Sequence, residues 1–228
     1  MRQKDGNSFI HDESPQEFFD AFNFFVMASD KKVFNKLISK HFFLEITKSV
    51  PGDVMELGVF RGSGIFSWIK MLNYFGINRR VYGFDIFDSD LLISGIETQD
   101  RNVMSNLFQD RGFNPSGYQT VLEAKLKDSG FYNFDLITGD IFDTIPEFLG
   151  KNPGFRAAVI NFDMDTDEPT YFALEKLWDR LVVGGVMVFD EYAINEWTES
   201  DAVDRFIRER TLQIRATHLS SPSAYIVK

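Results

Sequence analysis

The sequence predicts an α/β fold, in which a mostly parallel sheet of seven strands carries helices on both faces. Short apolar segments alternate with longer amphipathic segments from residue 53 onward, which is the order that builds parallel sheets. The first apolar segment runs into a glycine-rich turn, as expected of an open sheet that binds a ligand at the carboxyl ends of its strands.

The individual elements follow from hydrophobic spacing. In the second predicted helix, for example, Phe34, Ile38 and Phe42 recur at helical intervals, and Pro51 ends the segment. The predicted strands are 53–57, 80–84, 134–138, 157–162 and 186–189, with a closing antiparallel pair at 213–217 and 224–227. The predicted helices are 16–28, 31–49, 64–75, 118–129, 145–149, 170–181 and 200–210, with one more near 99–110 in the long polar stretch 86–117.

Two regions are expected. Residues 1–50 form a helical segment that serves as a lid or an interface, and residues 51–228 form the α/β domain. The first helix is rich in phenylalanine, which indicates either a homo-oligomer contact or a cover over the site.

Composition excludes several classes of partner. A formal net charge of −10 argues against a nucleic-acid or anionic-membrane surface. The chain has no cysteine, so disulfides and thiolate metal sites are ruled out. The polar amino-terminus and the lack of a long apolar run predict neither a signal peptide nor a membrane span, and residence in the cytoplasm is expected.

The glycine-rich turn is the first candidate site. It comprises Glu56, Gly58, Gly62, Ser63 and Gly64 in the segment ELGVFRGSG. Glycines allow a close approach of backbone to ligand, and the following helix offers free N–H groups. The spacing differs from the GxGxxG of dinucleotide folds and suits the methionine moiety of S-adenosylmethionine, although a purely structural turn is an alternative.

Acids at the next two strand ends extend this site. Asp85 ends the second strand, where a carboxylate can accept both ribose hydroxyls of a nucleotide. Asp140 follows the third strand and is placed to accept a hydrogen bond from an adenine amino group. Each acid has an alternative role as a helix cap or a loop acid.

A second group of acids follows the fourth and fifth strands. Asp163 comes after the first of these strands, and Asp190 and Glu191 come after the second. If the strands are neighbours, the three carboxylates converge and need a cation to neutralise them. Oxygen ligands suit a hard ion such as Mg²⁺.

On these motifs the chain resembles the macrocin O-methyltransferase (TylF-like) family, from about Met27 to the carboxyl-terminus. The resemblance lies in PGD followed by MELGVFRGSG, in GFDIF, in TGDIFDTIP, in NFDMD, in LWDRLVVGG, in DEY and in AVDRF. It implies a Rossmann-like class I methyltransferase that uses S-adenosyl-L-methionine and Mg²⁺ to methylate a sugar hydroxyl.

The resemblance also implies residue roles. Asp163 matches the first metal ligand, Asp190 and Glu191 match an acid pair that also binds the metal, and Asp165 matches the general base. The chain departs from the family pattern at three places: Met164 stands where a glycine is usual, Thr166 and Asp167 stand where a leucine and a tyrosine are usual, and Glu191 stands where an aspartate is usual. These departures put the metal geometry and the substrate pocket in question.

Other functions stay open on the sequence alone. The acceptor is a small sugar-like molecule on the preferred interpretation, and a catechol or polyol on the alternative one. A nicotinamide-dependent oxidoreductase of the Rossmann type and a non-catalytic binding module are alternatives of other classes, and the missing GxGxxG argues against the oxidoreductase.

Overall fold

The computed structural model describes residues 14–88 and 115–228, so the helix predicted near 99–110 lies outside the described residues. The helices are α1 (Pro15–Met27), α2 (Lys32–Thr47), α3 (Ser63–Phe75), α4 (Tyr118–Asp128), α5 (Ile141–Lys151), α6 (Asp167–Leu177) and α7 (Glu199–Arg210). The strands are β1 (Asp53–Leu57), β2 (Val81–Asp85), β3 (Phe134–Thr138), β4 (Ala157–Phe162), β5 (Leu181–Phe189), β6 (Ile214–Ala216) and β7 (Ala224–Val227).

The strands form one seven-stranded sheet in the order β3-β2-β1-β4-β5-β7-β6. The first five strands along the chain pair in parallel, and β7 pairs antiparallel with both β5 and β6. The order of the strands reverses between β1 and β4, which is where open sheets of this kind bind ligands. The predicted fold class is confirmed.

Helices cover both faces of the sheet, and each face has its own apolar core. On one face α2, α3 and α4 contribute Phe43, Trp68 and Leu122 among others. On the other face α5, α6 and α7 pack against the sheet through side chains such as Phe148 and Leu174. Burial on both faces explains why the central strands read as continuous apolar runs rather than alternating ones.

Two elements are longer than predicted. The helix expected at 145–149 begins at Ile141, because the Asp140 side chain accepts the Phe142 N–H at 2.9 Å and caps the helix four residues ahead of the position that Pro146 suggests. The fifth strand begins at Leu181 rather than 186, because a shift in register opposite Ala157 lets β5 accommodate two consecutive glycines.

The amino-terminal helices differ sharply in packing. Helix α1 has no buried residue, and the side chain of Phe24 is 79% exposed. Helix α2 buries its second half, including Phe43 and Leu44, against the sheet and α3. None of the described helices is both long enough and apolar enough to span a membrane.

Gly58 gives the first prediction, because it connects the end of β1 to the backbone after β4. Its φ is +91°, and a Cβ there would lie 1.9 Å from the Asp163 carbonyl oxygen. We expect Gly58→Ala to lower the free energy of unfolding by roughly 1–3 kcal/mol or more, through left-handed strain and displacement of the backbone.

Gly150→Ala is the matched control, since Gly150 lies in α5 with open space around it. That change should leave stability equal or about 0.5–1 kcal/mol higher, by the ordinary helix preference for alanine. Urea unfolding followed by circular dichroism measures both variants, and equal stability of the two would refute the assigned contact.

Candidate active site

The carboxylates predicted to converge do so. Phe162 and Phe189 are partners in the parallel register of β4 and β5, so Asp163 and Asp190 leave the sheet side by side. Both contact the ammonium of Lys36 in α2: its Nζ lies 3.2 Å from Asp163 Oδ2 and 2.6 Å from Asp190 Oδ2. The Asp190 Oδ1 also accepts the Ser221 hydroxyl at 2.9 Å.

Helix α2 supplies a cation at each of three successive turns. We call Lys32, Lys36 and Lys40 the lysine row; spaced four residues apart, they lie on one side of the helix. Lys32 forms an ion pair with Glu191, and Lys36 pairs with the two aspartates. Lys40 is buried, with its ammonium 5.0 Å from the centre of the Trp68 ring. The lysine row therefore runs along the carboxyl ends of the parallel strands.

Charge divides unequally within the cluster. Burial, followed by repulsion from Asp190, raises the pKa of Asp163 well above its usual value. Burial also acts to raise the pKa of Asp190, but the ion pair and hydrogen bond from Lys36, with help from Lys40 and Ser221, hold it below its ordinary range. Lys36 itself keeps a raised pKa despite burial, because the aspartates stabilise its charge. Asp190 is thus the acid that ionises most readily.

Asp165 lies beside this cluster in a strained backbone conformation. Its φ is +68°, a region that residues other than glycine adopt rarely. Burial, then the negative charges of Glu191 and Asp190, raises the pKa of its carboxyl to about 7. Its Oδ1 is buried and accepts no hydrogen bond from the residues that the structure describes. A carboxyl group with these properties can exchange a proton near neutral pH.

Glu199, in the first turn of α7, is a member of the cluster that sequence reasoning missed. It is fully buried; its Oε1 accepts the Glu191 N–H at 3.1 Å, and its Oε2 has no described partner. Burial, then the neighbouring aspartates, raises the pKa of Glu199 well above the usual value, so the neutral acid is favoured. An acid in the first turn of a helix is so common that its position gave no signal.

The predicted metal ligands fit a hard cation by their chemistry. The donors are all carboxylate oxygens, and Glu191 Oε2 is buried without a described hydrogen-bond partner. The place between Asp163 and Asp190, however, is held by the Lys36 ammonium, and within residues 14–88 and 115–228 no set of three side chains is arranged as metal ligands. A divalent ion would have to displace Lys36.

The glycine-rich turn lies next to the acid cluster. Glu56 is buried on β1, and a Cβ at Gly64 would come within 2.0 Å of Glu56 Oε1, so only glycine leaves room for this carboxylate. Gly62 is the N-cap of α3 and Ser63 is its first residue, and the first N–H groups of a helix have no hydrogen-bond acceptor within that helix. Burial, opposed mainly by the charge of Lys40, raises the pKa of Glu56.

Asp85 holds the turn in shape. Its Oδ2 accepts N–H groups from Val59 at 2.8 Å and Phe60 at 2.7 Å, and its Oδ1 accepts that of Phe87 at 2.9 Å. The role of Asp85 as a ribose contact stays a prediction; in the structure the same carboxylate binds backbone N–H groups. Asp140 likewise caps α5, which is the alternative role considered for it, and its contact with adenine stays a prediction.

Comparison with known proteins places the chain in a family. The sequence profile described as macrocin-O-methyltransferase (TylF) matches residues 38–228. The chain belongs to the macrocin-O-methyltransferase (TylF) family. The family match takes in Lys40 of the lysine row but begins after Lys32 and Lys36.

A curated relative is a sugar-modifying enzyme of Streptomyces olivaceus, 8-demethyl-8-(2,3-dimethoxy-α-L-rhamnosyl)-tetracenomycin-C 4′-O-methyltransferase. The two are 31% identical over 153 residues, which is 66% of this chain and 56% of the relative. The chain thus matches little more than half the length of that protein.

Solved structures show the same fold. CalS11, described as TDP-rhamnose 3′-O-methyltransferase of calicheamicin biosynthesis, is 25% identical with a TM-score of 0.65, covering 98% of this chain and 99% of CalS11. Another crystal structure of CalS11 gives a TM-score of 0.69 at 24% identity, covering 100% of this chain and 98% of CalS11. The methyltransferase PaMTH1 of Podospora anserina, solved with S-adenosylhomocysteine, has a TM-score of 0.52 at 10% identity, covering 96% and 98%. The fold is therefore that of class I methyltransferases.

The Lys36 ion pairs give the second prediction. Lys36→Met leaves two adjacent carboxylates without their cation, and we expect unfolding free energy to fall by roughly 1–3 kcal/mol, since the pair is only partly exposed. Adding Asp190→Asn should recover part of that loss, because the repulsion is removed.

Lys48→Met is the control, since Lys48 forms an exposed ion pair with Glu45, one turn away. It should change stability by less than about 0.5 kcal/mol. Urea titrations of the single and double variants give the coupling energy, and a Lys36 variant as stable as the Lys48 variant would disprove the counter-ion role.

Proposed function

We propose that this protein transfers a methyl group from S-adenosylmethionine to a hydroxyl group of a sugar. The observation that carries the proposal is the contact of Gly58 with the Asp163 backbone, which places the glycine-rich turn and the acid cluster side by side. A cofactor seated on the turn would therefore present its methyl group near Asp165. Membership of a family of O-methyltransferases supports the same reaction.

Rhamnose is the acceptor class best supported. The Streptomyces olivaceus relative acts on a rhamnosyl group, and CalS11 is named for TDP-rhamnose. A sugar offers neighbouring hydroxyls that carboxylates can bind. A catechol or another polyol would satisfy the same hydroxyl-binding chemistry and is the second acceptor class.

Asp165 acts as the general base in this proposal. The sulfonium of the cofactor already activates the methyl group, so the protein must align the acceptor oxygen and remove its proton. Asp165, with a pKa raised to about 7, matches that task, and its Oδ1 is free of described hydrogen bonds. Glu199 holds the backbone of Glu191 in place, because its Oε1 accepts the Glu191 N–H.

Mg²⁺ is the proposed metal, with Asp163, Asp190 and Glu191 as the residues that would hold it. When bound, such an ion lowers the pKa of a chelated hydroxyl and orients the acceptor. The Lys36 ammonium now lowers the pKa of Asp190, and a bound metal ion would take over that stabilisation of the carboxylate. Binding would require Lys36 to leave its place between the two aspartates.

Asp85 and Asp140 are proposed as the ribose and adenine contacts, and Glu56, Gly58, Gly62, Ser63 and Gly64 as the methionine end of the site. The amino-terminal segment 1–50 is proposed as the cover over the site or as a contact between copies of the chain, and 51–228 as the methyltransferase domain. The exposed aromatic side chains of α1 support either use.

The third prediction tests the reaction. Purified protein incubated with S-adenosylmethionine and TDP-rhamnose, or a rhamnosyl glycoside, should give a product heavier by one CH2 unit in mass spectrometry, because a methyl group replaces the hydroxyl proton. Asp165→Asn should retain S-adenosylmethionine binding in calorimetry but lose about 10²–10⁴-fold in turnover, because the base is gone.

Asp135→Asn is the control variant, since Asp135 is an exposed acid paired with Arg80 at the far edge of the sheet. It should methylate at the wild-type rate. Normal turnover by the Asp165 variant removes that residue as the base, and calorimetry that shows binding of NAD but not of S-adenosylmethionine would overturn the proposed function in favour of an oxidoreductase. Cofactor binding with no methylated product from any hydroxylated acceptor would instead indicate a binding module.

The fourth prediction concerns the metal. EDTA should abolish turnover, and excess Mg²⁺ should restore it, whereas binding of S-adenosylmethionine should persist in EDTA because the glycine-rich turn holds the cofactor. Asp190→Ala should weaken the binding of Mn²⁺, which is measured from the electron paramagnetic resonance signal of the free ion. Full turnover after EDTA treatment would eliminate the metal from the mechanism and leave Lys36 as the cation of the site.

A further inference from the structure

The innermost member of the lysine row has no assigned task. The Lys40 residue is only 6% exposed, and its ammonium makes no hydrogen bond and no ion pair within 4 Å among the described residues. Lys36 and Lys32, one and two turns earlier, each have a carboxylate partner. The charge of Lys40 is felt by Glu56 and Asp190, but a buried ammonium with no hydrogen-bonded anion is unfavourable, so a further partner is expected at this place.

The surroundings of Lys40 indicate what that partner is. Its ammonium lies over the indole of Trp68, on the helix that begins at the glycine-rich turn. Its charge acts on Glu56, whose Oε1 touches the Gly64 position. Glu56 Oε2 is buried with no hydrogen-bond partner among the described residues. An ammonium and a carboxylate oxygen, neither of them with a hydrogen-bond partner among the described residues, thus lie close enough to attract each other.

We propose that Lys40 binds the α-carboxylate of the methionine moiety of S-adenosylmethionine, while Glu56 accepts its α-ammonium. This inference rests on the proposed function and adds α2 to the cofactor site. The amino-acid end of the cofactor is a zwitterion, and the buried pair of Lys40 and Glu56 offers the complementary charges. Binding completes both groups at once, which satisfies the polar atoms that burial leaves without partners.

The competing explanation is that Lys40 is a packing residue, stabilised by its position over Trp68. The two roles differ in one measurable respect. A packing residue affects every ligand of the fold equally, whereas a carboxylate ligand discriminates between ligands that differ only at the amino-acid end.

The experiment measures binding of three ligands by calorimetry. They are S-adenosylhomocysteine, its decarboxylated amine analogue, and 5′-methylthioadenosine, which lacks the amino-acid end. For Lys40→Met we expect affinity for S-adenosylhomocysteine to fall about 10- to 100-fold, the effect of losing a charged hydrogen bond, and affinity for 5′-methylthioadenosine to stay unchanged. The decarboxylated analogue should bind wild-type and variant alike. Lys40→Arg should retain most of the affinity.

Lys70→Met is the matched control, because Lys70 also lies over an aromatic ring, that of Phe66, but on the exposed side of α3. It should bind all three ligands as the wild type does. Equal losses for S-adenosylhomocysteine and 5′-methylthioadenosine, or no loss for either, overturn the assignment of Lys40. Failure of the wild-type protein to bind S-adenosylhomocysteine at all would instead reject the proposed function. Binding of 5′-methylthioadenosine also shows that a variant is folded. If Lys40→Met binds none of the three ligands, Lys40→Arg decides instead. A Lys40→Arg variant that no longer binds S-adenosylhomocysteine more tightly than 5′-methylthioadenosine also counts against the proposal.

Discussion

Repulsion between acids is the constraint on which the rest of this site depends. Five carboxyl groups lie within a small volume at the carboxyl ends of β4 and β5, namely those of Asp163, Asp165, Asp190, Glu191 and Glu199. Like charges that are out of water cannot all remain ionised. The molecule meets this constraint in two ways: Lys36 and Lys32 neutralise the acids that they touch, and burial raises the pKa of Glu199, which favours its neutral form.

The parallel sheet explains why Asp163 and Asp190 lie together, and their convergence can be predicted from the sequence. Asp163 and Asp190 each follow an apolar run directly, so adjacent parallel strands had to bring them together once β4 and β5 were neighbours. The glycine-rich turn is predictable in the same way, because it follows the first apolar strand. The structure gives the reason for two of its glycines: the Asp163 backbone approaches Gly58, and the Glu56 carboxylate approaches Gly64. The family motifs added roles that spacing alone does not give.

The rest of the site could not be predicted because its signals are ordinary. Lysines four residues apart are typical of a solvent-facing helix side, and only tertiary packing turns that side toward the strand ends. Asp85 follows a strand end, a position that predicts a ligand contact, whereas nothing in the sequence indicates that it also accepts the backbone N–H groups of the turn. Glu199 lies in a first helical turn, where acids are common whatever their function.

The position of α2 links these observations. Its carboxyl-terminal half is anchored by Phe43 and Leu44 in the core, whereas its amino-terminal half touches the domain largely through the charges of the lysine row. An apolar anchor holds a helix in place regardless of ionic conditions, whereas ion pairs weaken when another ion competes for the same carboxylates. A divalent cation between Asp163 and Asp190 would therefore replace the contact that holds the first half of α2 without disturbing the second half. Burial of apolar side chains thus fixes the position of the second half of α2 on the sheet, and the ion pairs of the first half determine how closely that half covers the acids.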